Sequence, residues 1–335
     1  MRTAAETFPH RRAGHCGSGA LRDLLEHRGL DFGSGPLSEG VVFGLAGGLG
    51  FFFVEIPQMA PPMYLVGRTG DLERDVAAHL NAGIEVRETD DPVEGWAWVT
   101  DEIDAGRPPI VWADIAELEY LRVRMSNTRH DIVVVDYDSA AQVAWIADND
   151  RDELQRCSLE SLAAARNSNG FPGPNRHTTF LYRWPDRLPD PDIATQRAMA
   201  CAVRNMRTAP ASVGGLDGGL GLAGVIAFCE SYPRWPETFA TSMDEVLRGL
   251  RVFIVKAGTG GAMFRSLHAE FLREMADTVG GPALLAAASI YEELAAQWVD
   301  LATCAEAGDH AAGLPLVERI GRLEVSGVAA MEAAL

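Results

Sequence analysis

The chain has 335 residues, 47% of them hydrophobic and 23% charged, with a formal net charge of −18. That length suits two domains, each with its own core, and no stretch approaches the roughly 18 uninterrupted apolar residues of a membrane span. The charge argues against nucleic acid or an anionic membrane as a partner, because phosphate binding draws on clustered Lys and Arg.

The N-terminus MRTAAETFPHRR has no apolar stretch behind its charges, so it does not read as a secretory signal and a cytoplasmic location is expected. The five cysteines Cys16, Cys157, Cys201, Cys229 and Cys304 include no CxxC pair, which argues against a disulfide framework and a zinc site. With no HExxH motif either, chemistry without a metal or cofactor is expected.

The most informative segment is GHCGSGALRDLLEHRG. Cys16 is followed by small residues, then by Ala20, Leu21, Leu24 and Leu25, and Gly29 closes a short helix that starts near the thiol. A cysteine at a helix N-terminus faces unpaired N–H groups and the positive dipole end, which favours thiolate. The plainer reading is a small buried hydrophobe.

Next comes the glycine-rich run GLAGGLGFFF at Gly44–Phe53. It lacks the GK[ST] ending and the GxGxxG spacing of phosphate loops. Its glycines are expected to permit close backbone approach beside the active-site cleft, and its aromatics to line a core or an acyl pocket.

The segment RHDIVVVDYDSAAQVAWIADND reads as strand, turn and return strand. With the turn centred on Asp138–Ala141, paired positions sum to about 278 to 280, which puts His130 opposite Asp148 or its neighbour Asp150 on one face. Directly opposed side chains lie about 5 Å apart. Either carboxylate is therefore placed to hold the imidazole in the tautomer whose other nitrogen accepts a proton from Cys16. Nucleophile first, histidine late and acid shortly after is the papain-type order. A third strand is expected over Thr178–Trp184.

Residues 185–192, PDRLPDPD, cannot continue a helix or a central strand. They separate a first domain over residues 1–185 from a second over 193–335. Beyond them helical periodicity dominates, as in the face formed by Phe264, Leu267, Phe271 and Met275. An all-α domain is expected there, with the glycine-rich stretch Ser212–Gly224 as a flexible connector or close-packed turn.

The segments HCGSGALRDLLEHRG, LSEGVVFGLAGGLGFFF, GRPPIVWADIAELEYL and HDIVVVDYDSAAQVAWIADND resemble those of the butirosin biosynthesis protein H family. In the second half GTGGAMFRSLHAEFLREM and AAQWVDLA look like the helical domain of unknown function that follows it. The resemblance covers nearly the whole chain. It implies an α+β architecture, a papain-like cysteine peptidase/acyltransferase fold followed by an all-α helical domain. By the same resemblance Cys16 is the acyl acceptor, His130 the general acid/base and Asp148 the orienting carboxylate.

Six residues before the nucleophile, where related peptidases carry an oxyanion-hole glutamine, this chain has His10. Either its imidazole N–H takes that role or backbone donors near Cys16 suffice. His15 is a candidate for a local charge effect on the thiol. Glu39 and Asp114 lie in family-like motifs and are candidates to bind an incoming amine, or are caps and surface charges. Gly258–Gly261 precedes a helix whose N-terminal amides, with Arg265, are candidates to hold an anion such as a carrier phosphopantetheine; a tight turn is the alternative.

The implied activity is amide formation, an acyl group passing from a carrier-protein or pantetheine thioester through acyl-Cys16 to a small-molecule amine in antibiotic biosynthesis. The acidic balance favours a cationic acceptor, whereas an acidic acyl carrier protein needs a local basic patch. Arg122, Arg124 and Arg129 are one candidate for that patch, and a solvated strand or loop face is the alternative. The same acyl-enzyme resolved within one molecule or by water gives a lactam-forming cyclase, thioesterase or amidase. A non-catalytic carrier-binding module is a third reading, and the helices of the second half make a homodimer plausible.

Overall fold

A computed structural model describes residues 4–207 and 217–335. In chain order the elements are α1 (Ala4–Thr7), α2 (Cys16–His27), α3 (Glu39–Leu45), β1 (Leu49–Glu55), β2 (Met63–Arg68), α4 (Leu72–His79), β3 (Gly83–Arg87) and α5 (Pro92–Asp104). There follow β4 (Ile110–Ala113), β5 (His130–Asp138), β6 (Val143–Ala147), β7 (Gln155–Ser158), α6 (Leu159–Arg166) and β8 (Thr179–Arg183). The rest comprises α7 (Pro191–Arg207), β9 (Gly218–Leu220), α8 (Gly221–Ser231), a 3-10 turn at Tyr232–Arg234 and α9 (Trp235–Thr238). Four helices complete it: α10 (Met243–Val255), α11 (Arg265–Val279), α12 (Pro282–Glu306) and α13 (His310–Ala334). Among the described residues no helix is long and apolar enough to cross a membrane.

The architecture is α+β, with an N-terminal sheet region and a helical C-terminal region. Two compact units divide the chain, the first Met1–Glu39 with Leu80–Leu188, the second Gly40–His79 with Pro189–Leu335.

The first unit is built on an antiparallel sheet of order β3-β8-β4-β5-β6-β7. Its middle strand β5 carries the run Ile132–Val135, in which every side chain is buried. Alternation along a strand sends such a run to both faces, so both must be covered. Ile132 and Val134 join Val111, Ile146, Val99 of α5 and Leu162 of α6 in one apolar cluster. Helix α2, whose Leu21, Leu24 and Leu25 are buried, also packs on β5. It ends as its sequence dictates, with Gly29 at φ +65° just beyond the last turn.

The second unit packs long helices with an antiparallel sheet of order β2-β1-β9. Phe264, Leu267, Phe271 and Met275 are all buried. One expectation is corrected here. The second half is not purely helical, because Gly218–Leu220 pairs with Phe52–Val54 of β1. Gly218 has φ +152°, and a Cβ there would collide with the Phe53 carbonyl, so a glycine is what lets the strand close in. Residues 212–216 of the same glycine-rich stretch lie outside the described residues. Gly44–Phe53 belongs to this second unit. Phe51 and Phe53 are buried, and each ring meets Phe228 of α8.

Candidate active site

Cys16 is the first residue of α2, and His15 caps the helix, its Nδ1 accepting the Ser18 N–H at 3.2 Å. A histidine at this position does what Ser or Asp usually does, satisfying one of the orphan N–H groups of the first turn. Gly17 and Gly19 follow for steric reasons. A Cβ at Gly17 would lie 3.0 Å from Asp131 Oδ2 and 3.1 Å from His15 Cε1, and one at Gly19 would lie 2.6 Å from Ala13 Cβ.

The loop before Cys16 is tied to the turn after β6. Ala13 N–H donates to the Asn149 carbonyl at 3.0 Å, and Asn149 Nδ2 donates to the Ala13 carbonyl at 3.1 Å. This pair of bonds fixes the thiol relative to Asp148.

His130 opens β5, opposite Ala113 of β4. On its other side β5 pairs Val133 with Ala147 and Val134 with Ile146, and the register shifts at a bulge nearer the turn. Asp148 is thus one residue past β6, on the diagonal from His130, and its Oδ2 lies 2.9 Å from His130 Nε2. Asp150, the alternative partner, is exposed and pairs with Arg151. Asp148 is fully buried, with Tyr120 Oη donating to Oδ2 at 2.9 Å and Asp150 N–H to Oδ1 at 3.1 Å.

The electrostatics of the three groups are coupled. Burial opposes ionisation of the Cys16 thiol, yet His15 and His130, through charge and hydrogen bonds, outweigh it and hold the thiol well below its ordinary range. Burial disfavours the His130 imidazolium, but the charge and hydrogen bond of Asp148, with the sulfur beside it, push it well above the imidazole range. Burial would raise Asp148, whereas His130, Asp150 N–H and Tyr120 bring it down to about 2. The arrangement favours thiolate with imidazolium, each raising the other's charged form.

Two neighbours were not singled out in the sequence. Asp131 Oδ2 lies 3.9 Å from Cys16 Sγ, although period-2 alternation sends Asp131 to the face opposite His130. Burial and the charge of Asp148 push the Tyr120 phenol well above its ordinary range, so it stays a donor.

Four auxiliary candidates take other partners. His10 Nδ1 bonds Asp23 Oδ2 at 2.6 Å, and Asp23 also pairs with Arg22, whose guanidinium donates to the Arg11 and Arg12 carbonyls. His10 is thereby strapped to α2, and with Nδ1 facing a carboxylate its Nε2 donates only as the imidazolium. Glu39 accepts from Gly14 N–H at 2.7 Å, His15 N–H at 2.8 Å and Ser18 Oγ at 3.0 Å, so it staples the nucleophile loop rather than awaiting an amine. Asp114 is buried and accepts from Ala116 N–H, Asn127 N–H, Ser126 Oγ and Ser168 Oγ, a loop anchor. Arg265 lies in the second unit, fully buried. Inside the core its guanidinium bonds both oxygens of Glu324 and the carbonyls of Gly50, Gly67 and Met263.

Residues 15–149, from His15 to the turn after Asp148, match the family described as Butirosin biosynthesis protein H, N-terminal. Residues 160–335 match the family described as Domain of unknown function (DUF4872), a match that begins within α6 of the first unit. No curated protein matches the chain. With the two matches in this order over most of its length, the chain belongs to the butirosin biosynthesis protein H family, its second half being the domain of unknown function.

Proposed function

We propose that the chain is a cysteine-dependent acyltransferase of papain-like fold that forms an amide from a carrier-bound or pantetheine thioester in antibiotic biosynthesis. The observation that carries this reading is the contact chain Cys16–His130–Asp148, in which a thiol held low and an imidazole held high meet at a helix N-terminus. The family's name supplies the biosynthetic setting.

In the first half-reaction the Cys16 thiolate attacks the thioester carbonyl, forming the S–C bond. The oxyanion is met by N–H groups of the first turn of α2, orphaned by helix geometry and aimed out of its positive end. Collapse breaks the bond to the departing thiol, which takes its proton from His130. In the second, an amine attacks acyl-Cys16, its proton passes to His130, and expulsion of the Cys16 thiolate leaves the amide. With Nε2 held by Asp148, Nδ1 is the ring nitrogen of His130 left to exchange the proton.

The test is intact-protein mass spectrometry after mixing the chain with acyl pantetheine thioesters, with Cys16→Ala as control. An adduct on the wild type alone, discharged faster by an added amine than by water, is the expected result. Discharge by water alone reassigns the chain as a thioesterase, and no adduct with any donor overturns the covalent mechanism.

A further inference from the structure

We propose that the loop Leu121–Arg129 is the docking surface for an acidic protein that presents the acyl group as a tethered thioester. This rests on the acyl-transfer reading and deepens it, by naming the donor as a protein face and giving the place where it lands.

Position comes first. The residues on either side of the loop, Tyr120 and His130, both bond Oδ2 of Asp148, each at 2.9 Å. The loop therefore leaves the candidate site and returns to it.

The base of the loop is rigid. Buried Asp114 receives Asn127 N–H at 3.0 Å and Ser126 Oγ at 2.7 Å. Thr128 N–H donates to the Phe171 carbonyl at 2.9 Å, and its hydroxyl to the Gly173 carbonyl at 2.6 Å. Arg129 lies 4.0 Å over the Trp112 ring and bonds the Pro174 carbonyl at 3.1 Å. Gly170 packs so closely on Ser126 that a Cβ there would collide with its hydroxyl, which brings Phe171 alongside the loop.

The exposed part has a different character. Val123 is 41% exposed, Met125 65% and Phe171 50%. Between them stand Arg122 and Arg124, both exposed and, among the described residues, in no ion pair. Other exposed arginines, among them Arg74, Arg156 and Arg248, are likewise in no ion pair among the described residues, but none of them stands in a loop whose two ends bond Asp148. Arg122 also holds φ +57°, a left-handed backbone that non-glycine residues adopt uncommonly.

Apolar side chains of this size interleaved with arginines have the composition of an interface core, where Met, Phe and Arg are enriched and desolvated together. The surface is a protruding loop, whereas small ligands bury themselves in concavities, so its occupant is a macromolecule. Charge selects the kind. In a chain of net charge −18, an acidic protein is repelled at long range and attracted only where cations stand unneutralised, which orients its approach. A partner with an acidic rim and an apolar centre fits; an extended polyanion needs many more cations than two.

The test compares Cys16 acetylation of the full chain by two donors, free acetyl pantetheine and the same acetyl thioester carried on a bacterial acyl carrier protein. The wild type is expected to prefer the carrier-bound donor, with a preference that declines as salt is raised. Arg122→Glu/Arg124→Glu is expected to lower the rate constant with the carrier-bound donor by on the order of tenfold or more, the scale of electrostatic steering. Free acetyl pantetheine, which also reports that the variant is folded, is expected to react unchanged. Met125→Ala is expected to show a smaller loss confined to the carrier-bound donor. No preference in the wild type, or equal effects of the variants on both donors, overturns the docking assignment alone. A wild type acetylated by neither donor overturns the acyl-transfer reading and this assignment with it.

Discussion

Asp148 Oδ2 lies 2.9 Å from His130 Nε2, and no exposed atom of Asp148 is left for water to share the work. Burial alone would raise this carboxyl; His130 and the backbone instead bring it to about 2. A carboxylate depressed in the folded state stabilises the fold above its unfolded value of about 3.9, and that contribution is lost as pH falls through about 2. Asp148→Asn is therefore expected to lower stability near neutral pH by on the order of 2 kcal/mol, the gap from wild type narrowing in acid. Denaturant titration across pH measures it. The raised imidazole adds stability that is present below about 6.5 and lost as pH rises through its folded value. Acyl transfer by the variant is expected to fall by about 10²- to 10⁴-fold, the usual worth of a positioned acid/base.

Cys16 differs from the other thiols in the direction of its shift. Burial pushes Cys157 and Cys201 up to about 11 and Cys229 to about 12, and raises Cys304. Iodoacetamide near neutral pH is expected to modify Cys16 alone, read by peptide mass mapping. His130→Ala should shift the pH midpoint of that reaction upward toward about 8.5. His15→Asn separates capping from charge. The Asn amide oxygen can still accept Ser18 N–H, but the charge that helps hold the thiol low is gone, so the pH midpoint of Cys16 labelling is expected to rise while the start of α2 is kept.

Glu39 was a candidate amine binder, and the structure gives both its oxygens to the nucleophile loop. Glu39→Gln keeps the shape but replaces one acceptor oxygen by a donor that faces N–H groups. Acylation of Cys16 is expected to slow by about tenfold or more as the loop loosens, with KM for the amine unchanged. A raised amine KM with normal acylation would restore the substrate role.

Much of the hairpin was legible because period-2 burial and the turn at Asp138–Ala141 constrain each other. Pairing at Val133–Ala147 sums to 280, within the expected window, and only the bulge nearer the turn departs from it. The α11 stripe was legible for the same reason, one periodicity read over several turns. What stayed hidden is not periodic. Nothing in LGFFFVE says which core receives β1, and a three-residue strand such as Gly218–Leu220 has no pattern to read. The partners of Glu39, Asp114 and Arg265 include backbone groups, which every residue carries alike, and side chains distant in sequence, so sequence cannot rank a staple against a ligand.

Arg265 and Glu324 give the second unit its sharpest stability test. Both side chains are completely buried, joined through Nε and Nη2 at 2.8 and 3.0 Å. Removing one partner strands the other's charge in the core, whereas replacing both by apolar groups removes the desolvation cost along with the attraction. Arg265→Met and Glu324→Leu are each expected to cost about 3–5 kcal/mol. The double variant should recover a large share of the summed loss, though not all, because Arg265 also holds the Gly50 and Gly67 carbonyls of β1 and β2. A double-mutant cycle by denaturant unfolding measures the coupling. If Arg265→Met instead leaves stability unchanged while weakening binding of a phosphopantetheine-bearing donor, the anion-binding role expected from its sequence motif is restored.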